Sequence, residues 1–429
     1  MDDLVQLVII WLAVFVSVVV SKYSRLTPVL FFLAAGSILV NLGALHSESQ
    51  GFVVGLSEVG IIVIMFALGF EENSAKFIKS VKRSWGIAFF GALAPFLGAY
   101  FVADYFWNDQ NISLMCGLTM TATAVSLTMV SLRSEGLATT PAATRIMTSA
   151  VLDDIASLAL VAILVPIVTG DHVVGVGETL MVVGKAILFF LVVSILGIWV
   201  FPHDLSGWIA RIPILGRYGV RSFLSFNGGE YSTLIVLLLA VGVGLIAHEF
   251  GFHPAVGAYM AGLILKEEYF RNVRSKSGAT NDFYLRTKQI IDNAAFAWIG
   301  PIFFVELGTK LVFDWDIFVA VIPHTLAMTL TIFLVQIISA ALAARYTGGL
   351  KNAASIMVGL GMLGRAELAF VVLDIAYVEN AILSTEAFYT LMFSAFWLNV
   401  AVPIGIRFWK PYYERELGRK KPASISVQS

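Results

Sequence analysis

The chain has 429 residues, of which 58% are hydrophobic and only 13% are charged, whereas a typical soluble domain has roughly 25% charged residues. This composition excludes an ordinary soluble protein and favours a membrane protein, because each membrane-spanning helix requires about 20 mostly apolar residues. The formal net charge of −1 gives no basic excess for nucleic-acid binding, and the single cysteine, Cys116, excludes an intrachain disulfide framework.

Thirteen apolar runs predict about thirteen transmembrane helices. In chain order they are centred near residues 12, 35, 62, 95, 122, 155, 190, 240, 260, 301, 330, 364 and 397. Runs such as 187–200 and 234–245 are apolar on nearly every side, whereas the strands of a membrane β-barrel alternate apolar with polar residues. The first run follows Asp2 and Asp3 rather than basic residues, so it is predicted to be a retained span. The predicted fold class is therefore an all-α polytopic membrane protein.

The distribution of basic residues orients these spans. All but three of the 28 Lys and Arg residues lie in alternate loops. Of the three, Lys310 lies in an opposite loop, and Lys185 and Arg365 lie inside spans. Because cytoplasmic loops are enriched in basic residues, the amino terminus is predicted outside and the carboxyl terminus in the cytoplasm, which requires an odd number of spans. We expect a multi-pass protein of the cell (inner) membrane.

An internal repeat relates the two halves of the chain. Residues 27–39 align without gaps with residues 253–265, and the Pro, Ala, Gly, Ile and Leu positions coincide. Each segment precedes a span that ends in Leu-Gly, at Gly69 or Gly308. The second and ninth spans cross in opposite directions, so the pattern predicts an inverted 6+6 repeat, an architecture of secondary transporters; coincidence among apolar helices is the alternative. The predicted divisions are 1–171 for the first repeat (spans 1–6), 172–228 for a linker span and cytoplasmic loop, 229–411 for the second repeat (spans 8–13) and 412–429 for a short cytoplasmic tail.

Two runs at corresponding positions of the halves predict broken helices. Residues 119–126 of the fifth span are rich in hydroxyl side chains, and residues 359–367 of the twelfth contain three glycines and two charges. Unwound backbone in the membrane is tolerated only where protein groups or a hydrated cavity satisfy it, so paired breaks indicate a site. Close helix packing through small residues is the alternative for either run alone. Together they predict two crossed discontinuous helices.

Two adjacent carboxylates, Asp153 and Asp154, lie inside the sixth span. They are about 12–14 Å from its cytoplasmic end, near the middle of a ~30 Å hydrocarbon core, where each charge costs roughly 2.5–3.5 kcal/mol. Burial and mutual repulsion disfavour two negative charges, so a proton and a monovalent cation are expected to compete for the pair. We predict cation and proton binding by Asp153 and Asp154, with oxygen ligands from Thr121, Thr123 and Ser126.

Arg365 and Glu367 form a second charged cluster in the twelfth span. Arg365 is interpreted either as a structural counter-ion or as a part that moves during transport. The same two interpretations are open for Glu367. His253, His324 and Cys116 lack metal-site spacing, and the glycines near 359–364 follow no strand and form no nucleotide loop. We therefore expect no cofactor.

At these residues the chain resembles the bacterial monovalent cation:proton antiporters, which include sodium/proton and potassium-efflux antiporters. The resemblance implies a homodimer in which a core domain with two crossed broken helices moves against a dimerisation domain. It also implies that Asp154 is the main carrier of ion and proton, assisted by Asp153. The matching segments are residues 121–126, 150–155, 301–308 and 365–367.

The chain departs from the family pattern at two positions. Many relatives carry a lysine in the helix before the second crossing segment, able to pair with the first aspartate, and the matching position here is Gln336. A glutamine cannot release a proton, so the number of protons per cation and the electrogenicity are left open. The family's Arg-Gly-Glu element also has Ala366 at its centre.

The predicted function is secondary antiport of a monovalent cation, most simply Na⁺, for H⁺ by alternating access. The alternatives are K⁺/H⁺ antiport and solute symport on the same architecture. An intramembrane aspartyl protease, and hence an enzyme, is disfavoured because its two carboxylates must lie on separate helices. A cation channel is disfavoured because rings of carboxylates would be expected. The expected partners are the cation, the proton, membrane lipid and a second copy of the chain.

Overall fold

The computed structural model describes residues 2–24, 26–46, 51–71, 75–169, 176–196, 220–265, 267–270, 282–365 and 367–418. Every regular element in these ranges is a helix, which confirms the predicted all-α class. Much of the predicted linker (172–175 and 197–219), Ala366 and the tail beyond 418 lie outside the described residues. The α-helices are α1 (Asp2–Ser24), α2 (Pro28–Asn41), α3 (Gly51–Glu71), α4 (Ala75–Trp107), α5 (Gln110–Thr119), α6 (Val125–Ser134), α7 (Pro141–Thr169), α8 (Val176–Ile195), α9 (Val220–Leu224), α10 (Ser232–Glu249), α11 (Pro254–Ile264), α12 (Asp282–Asn293), α13 (Gly300–Thr309), α14 (Trp315–Tyr346), α15 (Asn352–Gly361), α16 (Glu367–Leu373) and α17 (Thr385–Glu416).

Each predicted span centre falls on a helix or on a break between two helices. Within the described ranges, eight helical stretches are long and apolar enough to cross a membrane, and four further apolar helices are shorter. A π-helical turn, Ala294–Trp298, joins α12 to α13 within one such stretch, and a second, Asp374–Glu379, continues α16. The multi-pass character is therefore shown, whereas the total of thirteen spans stays a prediction.

The helices pack into two bundles. The core bundle contains α4–α7 and α14–α17, which pack mainly against one another, and the scaffold bundle contains α1–α3 and α10–α13. Between them, α8 contacts α7 and α11. The bundles also meet where α16 lies against α3, and the rings of Phe304 and Phe370 are 6.2 Å apart.

Glycines that the sequence repeat aligned occupy equivalent places in the scaffold bundle. Gly36 of α2 lies against α13, where an added Cβ would be 2.0 Å from the Val305 carbonyl oxygen and 3.0 Å from Gly308 Cα. Gly262 of α11 lies against α3, where an added Cβ would be 2.9 Å from the Gly69 carbonyl carbon. Each pair joins one helix from each half of the chain, as an inverted repeat requires. The numbered repeat boundaries stay predictions.

The contact between α3 and α11 predicts a specific stability effect. A methyl group at Gly69 would lie 2.1 Å from the Tyr259 carbonyl oxygen, so the two helix backbones must separate. We expect Gly69→Ala to destabilise the protein by about 1–3 kcal/mol, the usual range for overpacking. The measurement is the thermal unfolding midpoint of the purified protein in detergent.

Gly55→Ala, on the same helix, is the matched control. A methyl group there would have no neighbour within 4 Å, and alanine favours a helix over glycine by about 1 kcal/mol. We expect this variant to unfold at the wild-type temperature or above. An unchanged midpoint for Gly69→Ala would contradict the close approach of α3 and α11.

Candidate functional site

Two helix breaks cross inside the core bundle. The first separates α5 from α6 at residues 120–124, and the second lies at residues 362–365, between α15 and α16. The Ala124 amide donates to the Gly364 carbonyl oxygen at 2.8 Å, and Thr128 Oγ1 donates to the Gly361 carbonyl oxygen at 2.6 Å. These bonds satisfy backbone groups that the breaks leave without helical partners. The prediction of two crossed discontinuous helices is confirmed.

The hydroxyl residues at the first break explain where α5 ends. Thr119 Oγ1 donates to the Met115 carbonyl oxygen at 2.8 Å, and Thr121 Oγ1 donates to the Gly117 carbonyl oxygen at 2.8 Å. Such side-chain bonds compete with the helical backbone ladder. The predicted ligand Thr121 therefore bonds within its own segment. Ser126 lies in the first turn of α6, and its side chain lies outside the part of the chain that the structure describes.

Asp153 of α7 faces the first break. Its side chain is fully buried, and Oδ2 accepts a hydrogen bond from Thr123 Oγ1 at 2.9 Å. The other carboxylate oxygen, Oδ1, is buried and has no hydrogen-bond partner among the described residues. A buried carboxylate oxygen without a partner is rare, and it can accept a proton or coordinate a cation. Asp154 follows on the same helix and is half-buried.

Arg365 lies in the second break with its side chain fully buried. Nη2 donates to Gln336 Oε1 at 2.8 Å, and Nη1 donates to the Met362 and Gly364 carbonyl oxygens at 3.2 and 3.1 Å. The guanidinium is also close enough to Asp153 for a favourable charge interaction. These contacts fit the interpretation of Arg365 as a structural counter-ion.

Gln336 connects the second break to α4. Besides accepting from Arg365, its side-chain amide donates to the Gly91 carbonyl oxygen at 3.0 Å, and the residue is fully buried on α14. A methyl group at Gly91 would lie 3.4 Å from Gln336 Nε2 and 3.0 Å from Met362 Cε. The position that the family comparison singled out therefore lies beside Arg365, in a tightly packed part of the core bundle.

Asn399 is not among the site residues predicted from the sequence. This residue of α17 is fully buried. Its Oδ1 accepts from the Arg365 amide at 3.0 Å, and its Nδ2 donates to the Arg365 carbonyl oxygen at 2.5 Å. An amide side chain inside an apolar span was the available signal, because polar groups in the membrane are costly and require partners.

A cavity of about 790 Å³ lies between the two bundles, at the ends of α1, α3 and α6 that adjoin basic loops. The buried Glu367 lines it, so Glu367 faces this cavity from the start of α16. Carboxylates outnumber basic groups among the described lining residues, which favours the entry of cations. The charged lining residues are Lys22, Glu71, Asp292 and Glu367.

Ion pairs occupy the opposite side of the bundles. His253 Nε2, just before α11, is 2.9 Å from Glu379 Oε1, at the end of the π-helical turn after α16. This contact joins the scaffold bundle to the core bundle. At the end of α13, Lys310 Nζ is 2.8 Å from Glu306 Oε1. The His253–Glu379 contact therefore joins the bundles on this side. A second, mainly apolar cavity of about 610 Å³ also lies between the bundles, between α2 and the helices α14 and α17.

Comparisons with known proteins agree with this arrangement. A profile of the family described as "Sodium/hydrogen exchanger, transmembrane" matches residues 9–408. The probable Na⁺/H⁺ antiporter GerT of Bacillus cereus is 27% identical over 77% of this chain and 78% of its own length. The Na⁺/H⁺-K⁺ antiporter GerN of the same organism is 24% identical over 76% of this chain and 75% of its own length.

A solved structure supports the fold. The sodium proton antiporter MjNhaP1 from Methanocaldococcus jannaschii matches with a TM-score of 0.65 and 15% identity. The match covers 93% of this chain and 98% of that chain. At this identity the likeness concerns the fold, and the site rests on the residues described above.

Proposed function

This chain belongs to the family of transmembrane sodium/hydrogen exchangers, and from that premise we propose that it exchanges Na⁺ for H⁺ through Asp153 and Asp154. The observation that carries the proposal is the fully buried Asp153, which bonds to Thr123 and has one carboxylate oxygen without a partner among the described residues. Asp154 beside it supplies the second carboxylate. The curated relatives are named as antiporters rather than enzymes.

Competition between proton and cation is the proposed coupling mechanism. Two adjacent carboxylates inside a protein rarely both stay ionised without a compensating charge. A bound Na⁺ compensates the charge, and a bound proton removes it. Because the loaded states cross the membrane and the bare charged state does not, alternate exposure of the site gives exchange. Asp154 is the main carrier, Asp153 assists, and Thr121 and Ser126 remain proposed ligands alongside Thr123.

Alternating access is proposed to arise from movement of the core bundle against the scaffold bundle. The sparse contacts between the bundles support such a movement, and the cavity at their basic ends supports entry of the cation from that side. The proposed orientation has the amino terminus outside and the carboxyl terminus in the cytoplasm of a cell (inner) membrane. Exposed apolar side chains on α1 and α10 supply surface for lipid and for a second copy in a homodimer.

A proteoliposome assay tests the proposal. Purified protein is reconstituted in liposomes with an imposed pH gradient, acidic inside. Internal pH is followed as Na⁺, K⁺ or Li⁺ is added outside. We expect Na⁺ to dissipate the gradient, and protein-free liposomes to show no response. A larger response to K⁺ favours K⁺/H⁺ antiport, for which the name of GerN gives weak support. No response to any alkali cation would reject antiport, and a response only to an organic solute would indicate symport.

Gln336→Lys is expected to change the voltage dependence of exchange. The new ammonium would lie beside Arg365 and near the charge of Asp153, where a lysine can release a proton as a cation binds. The charge moved per cycle then differs from that of the wild type. The measurement is the exchange rate in proteoliposomes under imposed membrane potentials of both signs.

Gln336→Met is the control for this prediction, because it keeps a long side chain in the same buried place without a titratable group. We expect Gln336→Met to retain the voltage dependence of the wild type. Identical voltage dependence in the wild type and Gln336→Lys would show that position 336 is not coupled to charge movement.

A further inference from the structure

Asn399 bonds to the backbone of the second break. Its amide group accepts from the Arg365 N–H at 3.0 Å and donates to the Arg365 carbonyl oxygen at 2.5 Å. Arg365 is in a non-helical segment, so its two backbone groups lack the helical partners that buried groups normally have. One asparagine side chain supplies both a donor and an acceptor. It therefore replaces the backbone partner that a continuous helix would provide.

The two breaks are held by the equivalent helices of the two halves. In the first half, Asp153 on α7 accepts from Thr123 in the first break. In the second half, Asn399 on α17 bonds to Arg365 in the second break. In the predicted inverted repeat, the helix of Asn399 corresponds to the helix of Asp153. A carboxylate changes its bonding when it binds a proton or a cation, whereas an asparagine amide does not titrate.

The contacts at the two breaks therefore have different roles: one can titrate and the other cannot. The Thr123–Asp153 bond is part of the site that we expect to change when a proton or cation binds. We expect the Asn399–Arg365 bonds to persist, because the asparagine amide does not change its charge. Arg365 in turn bonds to Gln336 at 2.8 Å, and Gly364 approaches Asn399 so closely that an added Cβ would be 3.2 Å from Oδ1. We therefore expect the backbone of the second break to keep its conformation while the aspartate site at the first break changes.

We infer that Asn399 is a positioning residue for exchange: it fixes the backbone of Arg365, and with it the second break against which the aspartate site binds its cation. The inference rests on the proposed antiport but names a residue on another helix, whose hydrogen bonds among the described residues go to Arg365. Loss of Asn399 is expected to destabilise the backbone where the two breaks cross. It should weaken cation binding more than it lowers the maximal exchange rate.

Asn399→Leu tests this inference, because leucine has a similar shape and removes both hydrogen bonds. We expect faster amide hydrogen exchange in the peptide that spans residues 360–365, and an apparent KM for Na⁺ raised about tenfold, equivalent to about 1.4 kcal/mol. We expect Vmax to stay within about twofold of the wild type, since a mispositioned site loses mainly binding. Thr390→Val is the matched control on α17, because Thr390 is fully buried and its hydroxyl has no partner among the described residues; it should leave both readouts unchanged.

Asn399→Asp gives a second test that does not depend on the folding of the leucine variant. A protonated carboxyl group has one donor and one acceptor and reproduces both bonds to Arg365, whereas an ionised one only accepts. The ratio of variant to wild-type KM is therefore expected to rise as pH increases from about 6 to about 8.5, a range around which a buried carboxyl group titrates. A ratio that does not change with pH would overturn the inference.

The outcomes separate this inference from the proposed function. Hydrogen exchange of residues 360–365 reports whether Asn399 stabilises the backbone of the second break, whether or not the protein transports Na⁺. Unchanged hydrogen exchange in Asn399→Leu would contradict the claim that Asn399 fixes the backbone of Arg365. Faster hydrogen exchange with a wild-type KM would overturn the positioning role. Absence of Na⁺-driven flux in the wild-type protein would instead reject the proposed antiport.

Discussion

Replacing Asp154 with asparagine is expected to abolish Na⁺-driven proton flux without loss of folded protein. The amide has nearly the same shape as the carboxylate but can neither bind the exchanged proton nor compensate the charge of a cation. Asp154 is half-buried beside the fully buried Asp153, so an uncharged side chain there carries little risk to folding. The measurement is the proteoliposome assay, and we expect flux at the level of protein-free liposomes.

Asp104→Asn is the matched control for this variant. Asp104 is another half-buried aspartate of the core bundle, near the end of α4. We expect it to exchange Na⁺ for H⁺ at the wild-type rate. Undiminished exchange in Asp154→Asn would remove the assignment of the carrier.

Arg365→Ala is expected to cause the largest loss of stability of the changes considered. The substitution removes the positive charge that faces Asp153 and the donors to Gln336 and the second break. Leaving a buried hydrogen-bond acceptor without its partner typically costs about 1–3 kcal/mol, and Arg365 donates to three such acceptors. The measurement is thermal or denaturant-induced unfolding of the detergent-purified protein. The stability of Arg365→Lys should lie between that of the wild type and that of Arg365→Ala, because an ammonium keeps the charge but not the planar set of donors.

Arg407→Ala is the control for the loss of an arginine, because Arg407 is exposed on α17. Exposed substitutions usually change stability by no more than about 0.5 kcal/mol. If Arg365→Ala and Arg407→Ala unfold at the same midpoint, Arg365 does not stabilise the crossing.

Much of the fold followed from local patterns in the sequence. The apolar runs placed every predicted span centre on a helix or a break. The hydroxyl run at 119–126 and the glycine run at 359–367 marked the two breaks, because hydroxyl side chains and glycines weaken a helix for local reasons. The aligned glycines Gly36 and Gly262 marked close helix contacts. These features depend on a few neighbouring residues, so a single sequence is enough to find them.

The hydrogen-bond partners of the site did not follow from the sequence. Gln336 and Arg365 are 29 positions apart, and Asn399 lies 34 positions beyond Arg365, so only the packed bundle decides that they meet. Local patterns also do not decide between competing acceptors. Thr121 stays a predicted ion ligand, and its local sequence did not show that its hydroxyl donates to the Gly117 carbonyl oxygen. The two interpretations of Glu367, as a structural counter-ion or as a moving part, gave no indication that it lines a cavity between the bundles.

The measurement that tests the central claim most directly is the pH dependence of Na⁺ affinity in the wild-type exchanger. If protons and Na⁺ compete for Asp153 and Asp154, the apparent KM for Na⁺ rises by up to about tenfold for each pH unit of acidification, as mass action requires for one competing proton. Vmax at saturating Na⁺ should stay constant over the same range. A KM that stays constant while Vmax falls with acidification would contradict competition at one site.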